Sequence, residues 1–187
     1  PSEHGVRDGE SRVVPGIDAV VAESLEESPR DRSAARDEVE LRARLNERGV
    51  DTEADRDWTQ LVDHAFSHFV EPELIQPTIV YDYPVELSPF ARATDDDPLL
   101  TERFEYFAGG VELGNAFSEI NDAATQQERF EMQSGQVEGE RGDPDYVEAL
   151  SYGMPPTGGL GFGIDRFAML LTGRETIRDV VLFPALR

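Results

Sequence analysis

The sequence predicts an α+β fold in which an antiparallel β-sheet is flanked by helices. Three observations lead there. Apolar residues recur at spacings of three and four up to about residue 71, short extended runs take over after Pro77, and Gly109-Gly110 separates two strand-like runs as a hairpin turn does. Taken in order, residues 15–27 read as a helix with Ile17, Val20, Val21 and Leu25 on one face. A second helix fits 33–48, with Ser33 as N-cap, Val39, Leu41 and Leu45 as apolar positions, and Gly49 as its stop. The third, over 55–71, carries the widest stripe: Trp58, Leu61, Val62, Ala65, Phe66, Phe69 and Val70. His64 and His68 lie four apart at the edge of that stripe, a spacing that suits a metal but has no third ligand nearby.

Strands are expected at 78–81 and at 85–87, the latter bracketed by Pro84 and Pro89, and then in a hairpin of 103–107 and 111–117. Asp122 caps a helix running to about 132, and Asp143-Pro144 opens another that ends at Gly153. A glycine-rich strand, a helix over 164–172 stopped by Gly173, and a last strand over 180–183 complete the map. Residues 1–12 are expected to be a flexible or truncated start, and 134–142 a disordered loop.

Charge is the strongest compositional signal. Acidic residues number 39 against 17 basic, every basic residue other than histidine is arginine, and the formal charge is -22. Spread along the chain, that charge inflates a compact fold in dilute buffer and is screened at molar salt, so the expectation is an intracellular, cytoplasmic protein of a salt-accumulating microbe. With no cysteine there is no disulfide framework and no thiolate metal site, so any metal must sit on carboxylates. No stretch approaches the length of a membrane span. The 10 Phe, 5 Tyr and 1 Trp in periodic positions point to a packed core over most of the length.

Two segments carry chemistry. In the first, Gly159, Gly161 and Gly163 alternate like one face of a strand, so a flat base or ribose can lie on the main chain without meeting a Cβ. Arg166 follows in the first turn of the next helix, where its planar fork can grip phosphate oxygens. The competing reading is a tight strand-to-helix junction. In the second, a two-residue turn at Gly109-Gly110 sets Phe107 opposite Glu112, and alternation brings Glu105 to the same face, diagonal to Glu112. Two carboxylates then share a space suited to a hard cation. A three-residue loop would send them to opposite faces, and in so acidic a chain same-face glutamates also occur by chance. Asn115, Phe117 and Glu119 alternate on the other face of a regular strand; a bulge at Gly114 would bring them round to join Glu105 and Glu112 in one cleft, fit for an amino acid with a cationic tail.

The chain resembles the class II lysyl-tRNA synthetases. The resemblance rests on Leu74-Ile75-Gln76-Pro77-Thr78, Tyr83-Pro84-Val85-Glu86-Leu87-Ser88-Pro89, Arg103-Phe104-Glu105, the run from Asn115 to Asp122, Gly153-Met154-Pro155-Pro156-Thr157, the glycine-rich segment ending at Arg166, and Arg178-Asp179-Val180-Val181-Leu182-Phe183-Pro184. It implies that residues 13–187 are the latter part of a class II catalytic domain. It also implies that Glu105 and Glu112 hold Mg2+ against ATP, with Arg166 on the terminal phosphate and Gly159, Gly161 and Gly163 in the ATP seat. Asn115, Phe117 and Glu119 would line the lysine pocket. ATP, lysine and tRNA(Lys) would be the partners, and the full-length enzyme a homodimer. Val111 departs from the family, where many members carry a basic residue. Motifs 1 and 2 and the anticodon-binding domain are not seen before residue 13, so these 187 residues alone are expected not to aminoacylate. Two other readings stand beside the ligase: a synthetase-like enzyme that lysylates an elongation factor, and an inactive paralogue that only binds nucleotide or lysine.

Overall fold

A computed structural model describes residues 37–134 and 142–184, together with the strand at 12–14. The expectations for 1–11 and 15–27, and most of that for 134–142, lie outside the described residues, whereas Arg12, expected in the flexible start, opens the first strand. Helix α1 (Glu38–Glu47) is capped by Asp37, whose carboxylate accepts the N–H groups of Val39 and Glu40. Ser33, expected in that role, is among the residues not described. Leu41 and Leu45 turn inward, whereas Val39 is exposed, so the apolar stripe of α1 is narrower than expected. Helix α2 (Trp58–Phe69) is capped by Asp57 on the N–H of Gln60 and ends before a 3-10 turn at Glu71–Glu73 that contains Pro72.

The sheet has the order β1 (Arg12–Val14), β2 (Thr78–Pro84), β3 (Leu100–Ala108), β4 (Val111–Ser118), β5 (Gly158–Phe162). The pairings from β2 to β5 are antiparallel, as expected; β1 adds to the edge of β2 in parallel. Helices α3 (Ala123–Ser134) and α4 (Pro144–Ser151) lie between β4 and β5 in the chain, and α5 (Ile164–Thr172) follows β5 directly.

Two expected strands are absent. Val85–Leu87 is a 3-10 turn, because Pro84 ends the β2–β3 ladder against Leu100 and the chain then turns under Leu99, whose carbonyl accepts the N–H of Val85. Residues 180–183 follow another 3-10 turn, Ile177–Asp179, and are irregular. Val180 is in the αR region, and the N–H groups of Val180 and Val181 both donate to the Ile177 carbonyl at 3.1 Å, so the run begins folded into the turn and has no ladder among the described strands.

Gly109 and Gly110 both have positive φ (67° and 73°), which makes the hairpin the two-residue type I′ turn that matches strand twist. The core lies between the helices α1 and α2 and the sheet: Leu45, Leu61, Ala65, Val80 and Phe107 are nearly inaccessible, and the Phe66 and Phe107 rings meet edge-on at 5.6 Å. A smaller aromatic cluster of Phe90, Phe130 and Tyr146 ties α3 and α4 to the loop after β2.

Candidate active site

The hairpin register decides which side chains meet. Phe107 pairs with Glu112 and Ala108 with Val111, so the turn contains two residues and Glu105 shares the face of Glu112. One step further Tyr106 pairs with Gly114, leaving Leu113 as an extra residue in β4. This bulge resets the parity: Glu105 pairs with Asn115 and Arg103 with Phe117, so Asn115 and Phe117 join the carboxylate face. Gly114 is required beside the bulge for a packing reason, since a Cβ there would lie 2.5 Å from the carbonyl oxygen of Gly161.

On the next strand Gly161 lies opposite Asn115 and Gly159 opposite Phe117. The Glu119 carboxylate rests against Gly159, where a Cβ would come within 2.1 Å of its Oε1. Burial raises the Glu119 pKa. The third glycine does not extend the row. Gly163 lies beyond β5 as the N-cap residue of α5, so only Gly159 and Gly161 floor the face, a correction to the expected three-glycine floor. The Gly163 N–H donates to the carbonyl of Leu113 at 2.8 Å, and Arg166 sits in the first turn of α5 as expected. Its Nη1 donates to the Glu112 carbonyl at 3.0 Å and to Glu112 Oε2 at 2.9 Å. Arg166 therefore meets Glu112, Glu105 lines one cavity with Glu112, and Asn115, Phe117 and Glu119 run along the face beside the two glycines.

A cavity of about 170 Å³ opens between this face and α2. Asp63, Glu71, Glu105 and Glu112 contribute carboxylates to its wall, with Arg103 and Tyr83 between them. Tyr83 Oη donates to Glu105 Oε2 at 2.7 Å, and Arg103 Nη2 to Glu105 Oε1 at 2.5 Å. Burial raises the Glu105 pKa, opposed by the Arg103 charge and the Tyr83 hydrogen bond, while Glu112 adds to the rise. Burial likewise raises Glu71, with the Glu112 and Glu105 charges pushing the same way and the Glu112 N–H and Arg166 opposing. The Tyr83 phenol is raised beyond any physiological pH, by burial first and then by the Glu105 charge.

Sequence reasoning did not single out Asp63 or Glu71, and took Tyr83 and Arg103 only as parts of motifs. Strand alternation alone places Arg103 beside Glu105, and an acid at the C-terminal end of a helix, as Glu71 is, runs against the helix dipole and so asks for a reason. Tyr83 reaches the site only through the pairing of β2 with β3.

The two hairpin carboxylates are hard oxygen donors on one face. Among the described residues no group of three or more His, Asp or Glu side chains is placed to hold a metal. For the carboxylate pair that count is no bar to a cation such as Mg2+, which takes one or two carboxylates and completes its octahedron with phosphate oxygens and water. The same observation leaves His64 and His68 without a ligand set; His64 Nδ1 instead lies 2.9 Å from Asp55 Oδ2. No described helix is long and apolar enough to cross a membrane.

Residues 12–187 match the family described as tRNA synthetases class II (D, K and N). Among curated proteins, the chain is 50% identical over 152 residues to a lysine–tRNA ligase of Chloroflexus aurantiacus, covering 79% of this chain and 31% of that one. It is also 50% identical over 153 residues to a lysine–tRNA ligase of Shouchella clausii, covering 79% of this chain and 30% of the relative. A lysine–tRNA ligase of Helicobacter pylori shows the same 50% over 155 residues, or 80% and 31%. The chain thus spans less than a third of the length of these relatives.

Proposed function

The chain belongs to the tRNA synthetases class II (D, K and N), and from that premise we propose that it is the latter part, residues 13–187, of the catalytic domain of a lysine–tRNA ligase. The reading is carried by one observation: the Leu113 bulge gathers a carboxylate pair, an arginine and an amide–aromatic–carboxylate row on a single face of the sheet. The half identity to ligases named for lysine supports the choice of amino acid.

In this reading the bare backbone at Gly159 and Gly161 receives the nucleoside of ATP, and Arg166 grips the terminal phosphate as a bidentate donor. Glu105 and Glu112 hold magnesium, which supplies charge neutralisation for the triphosphate. Glu119, supported on Gly159, opposes the substrate ammonium, and Asn115 and Phe117 flank the amino acid. A lysine carboxylate oxygen attacks the α-phosphorus, the bond to the bridging oxygen breaks, and pyrophosphate leaves with its electron pair. The terminal ribose hydroxyl of tRNA(Lys) then attacks the lysyl carbonyl and AMP departs. The chain's own residues position the reactants and place fixed charge beside the developing charge. A homodimer in the full-length enzyme and a cytoplasmic, high-salt setting belong to the same proposal, the latter supported by the charge of -22.

The test is ATP–pyrophosphate exchange by the full-length protein in molar salt with single amino acids. Lysine-dependent exchange is expected, lost in Glu119→Gln. Exchange driven by aspartate or asparagine and not by lysine would overturn the assignment.

A further inference from the structure

Glu105 and Glu112 are held in opposite ways. The Glu112 side chain is 28% exposed, and its partner Arg166 is 44% exposed and reaches it from the first turn of an exposed helix. Glu105 is 13% exposed, and both of its oxygens are engaged from inside the protein. Its two donors are themselves fixed. Arg103 Nη1 donates to the Leu87 carbonyl at 2.7 Å and lies 3.0 Å from Ser88 Oγ, and the guanidinium stacks 4.7 Å from the centre of the Tyr83 ring. Tyr83 is 2% exposed. It arrives from β2 through an irregular pairing in which Asp82, at φ 59°, faces two residues of β3, since Tyr81 pairs with Phe104 and Tyr83 with Thr101.

A buried phenol needs one partner, and Tyr83 finds it in Glu105. Each carboxylate oxygen offers two lone-pair directions, so one donor per oxygen fixes the group without exhausting it. Glu105 and Glu112 line one cavity, so the capacity that remains is at hand there. From this geometry we propose that Tyr83 and Arg103 are positioning residues, which lock the Glu105 carboxylate in the one orientation that presents its free lone pairs to the divalent cation accompanying the nucleotide triphosphate. The inference rests on the proposed function only through the metal role of Glu105. It makes Glu105 the rigid ligand of the pair and Glu112 the adjustable one.

The experiment is a Mn2+ titration read by electron paramagnetic resonance, on the full-length protein in molar salt with saturating ATP, with circular dichroism to verify the fold of each variant. Tyr83→Phe keeps the ring and removes only the hydroxyl, and Mn2+ affinity should fall about tenfold, the usual consequence of losing an outer-shell partner of a ligand. Arg103→Lys keeps the charge but cannot reach Leu87, Ser88 and Glu105 together, and should produce a fall of the same order. Tyr106→Phe, on the opposite face of β3, should leave Mn2+ affinity unchanged. In exchange kinetics the KM for Mg-ATP should rise in Tyr83→Phe while the KM for lysine stays put, a split that a general loss of stability does not produce. If Glu105→Gln abolishes Mn2+ binding while both Tyr83→Phe and Arg103→Lys bind within twofold of the parent, the positioning role is wrong and the metal role of Glu105 stands. Unchanged Mn2+ affinity in Glu105→Gln would overturn both.

Discussion

The two flanks of the site face differ sharply. On one side α1 and α2 press against β2 and β3, and Leu45, Leu61, Ala65, Val80 and Phe107 are sealed from solvent. On the other, among the described residues, no strand follows β5 in the sheet and α5 has no buried residue, with Ile164, Leu170 and Leu171 of its apolar stripe exposed. Glu105 belongs to the first flank and Arg166 to the second, with Glu112 between them. Under the proposed function the contrast parts two roles: within these residues the Glu105 carboxylate sits where packing is densest, and the Arg166 guanidinium, proposed to exchange a carboxylate for a phosphate, sits where it is sparse.

Lowering the salt is the harshest way to break this contrast. The screening length grows from about 3 Å at 1 M to about 30 Å at 0.01 M, and a charge of -22 then repels itself across the whole molecule. Dialysis to millimolar salt is expected to unfold the chain by circular dichroism, and as salt falls the amides of β5 and α5 should lose hydrogen-exchange protection before those of β2 and β3. Unchanged spectra down to millimolar salt would contradict it. A pair of truncations sharpens the packing difference at fixed salt. Phe107→Ala should cost about 3–5 kcal/mol in denaturant titrations, whereas Leu171→Ala, on a side chain 71% exposed, should stay within about 0.5 kcal/mol. Comparable losses would show that the two flanks are equally cohesive.

The smallest effect is a pH dependence confined to the packed flank. Burial raises the Asp63 pKa, partly opposed by Arg103 and His64. The native state therefore holds this proton more tightly than the unfolded chain does, so its contribution is complete below about pH 4 and is lost as pH rises through the native pKa. Asp63→Asn should unfold at a higher denaturant midpoint than the parent at neutral pH, with the gap closing in acid. A gap that does not change with pH would refute this.

Local chemistry made much of the architecture legible. Gly109-Gly110 gave the hairpin its register, and the suspicion attached to Gly114 was rewarded by a bulge whose extra residue is its neighbour Leu113. Elements failed where their fate depended on a distant partner: 85–87 and 180–183 have strand-like composition but no ladder to join. The same limit hid Tyr83, whose hydroxyl reaches Glu105 only because β2 slips against β3, a slip that no local pattern announces. Gly163 was misplaced for the opposite reason, because strict alternation ran one residue past the end of the strand into a helix cap.

The extra residue in β4 has one more consequence. Its carbonyl is where the Gly163 amide hangs, one step beyond the pairing of Gly114 with Phe162, and the preceding carbonyl of Glu112 takes the guanidinium itself. A one-codon deletion that straightened the strand would keep Asn115 and Phe117 facing the same way, yet it would remove the peg on which the arginine-bearing helix begins. The proposed phosphate grip thus hangs on a single peptide unit beside the proposed amino-acid row, and a change of length there would disturb Arg166 even where Asn115 and Phe117 keep their face.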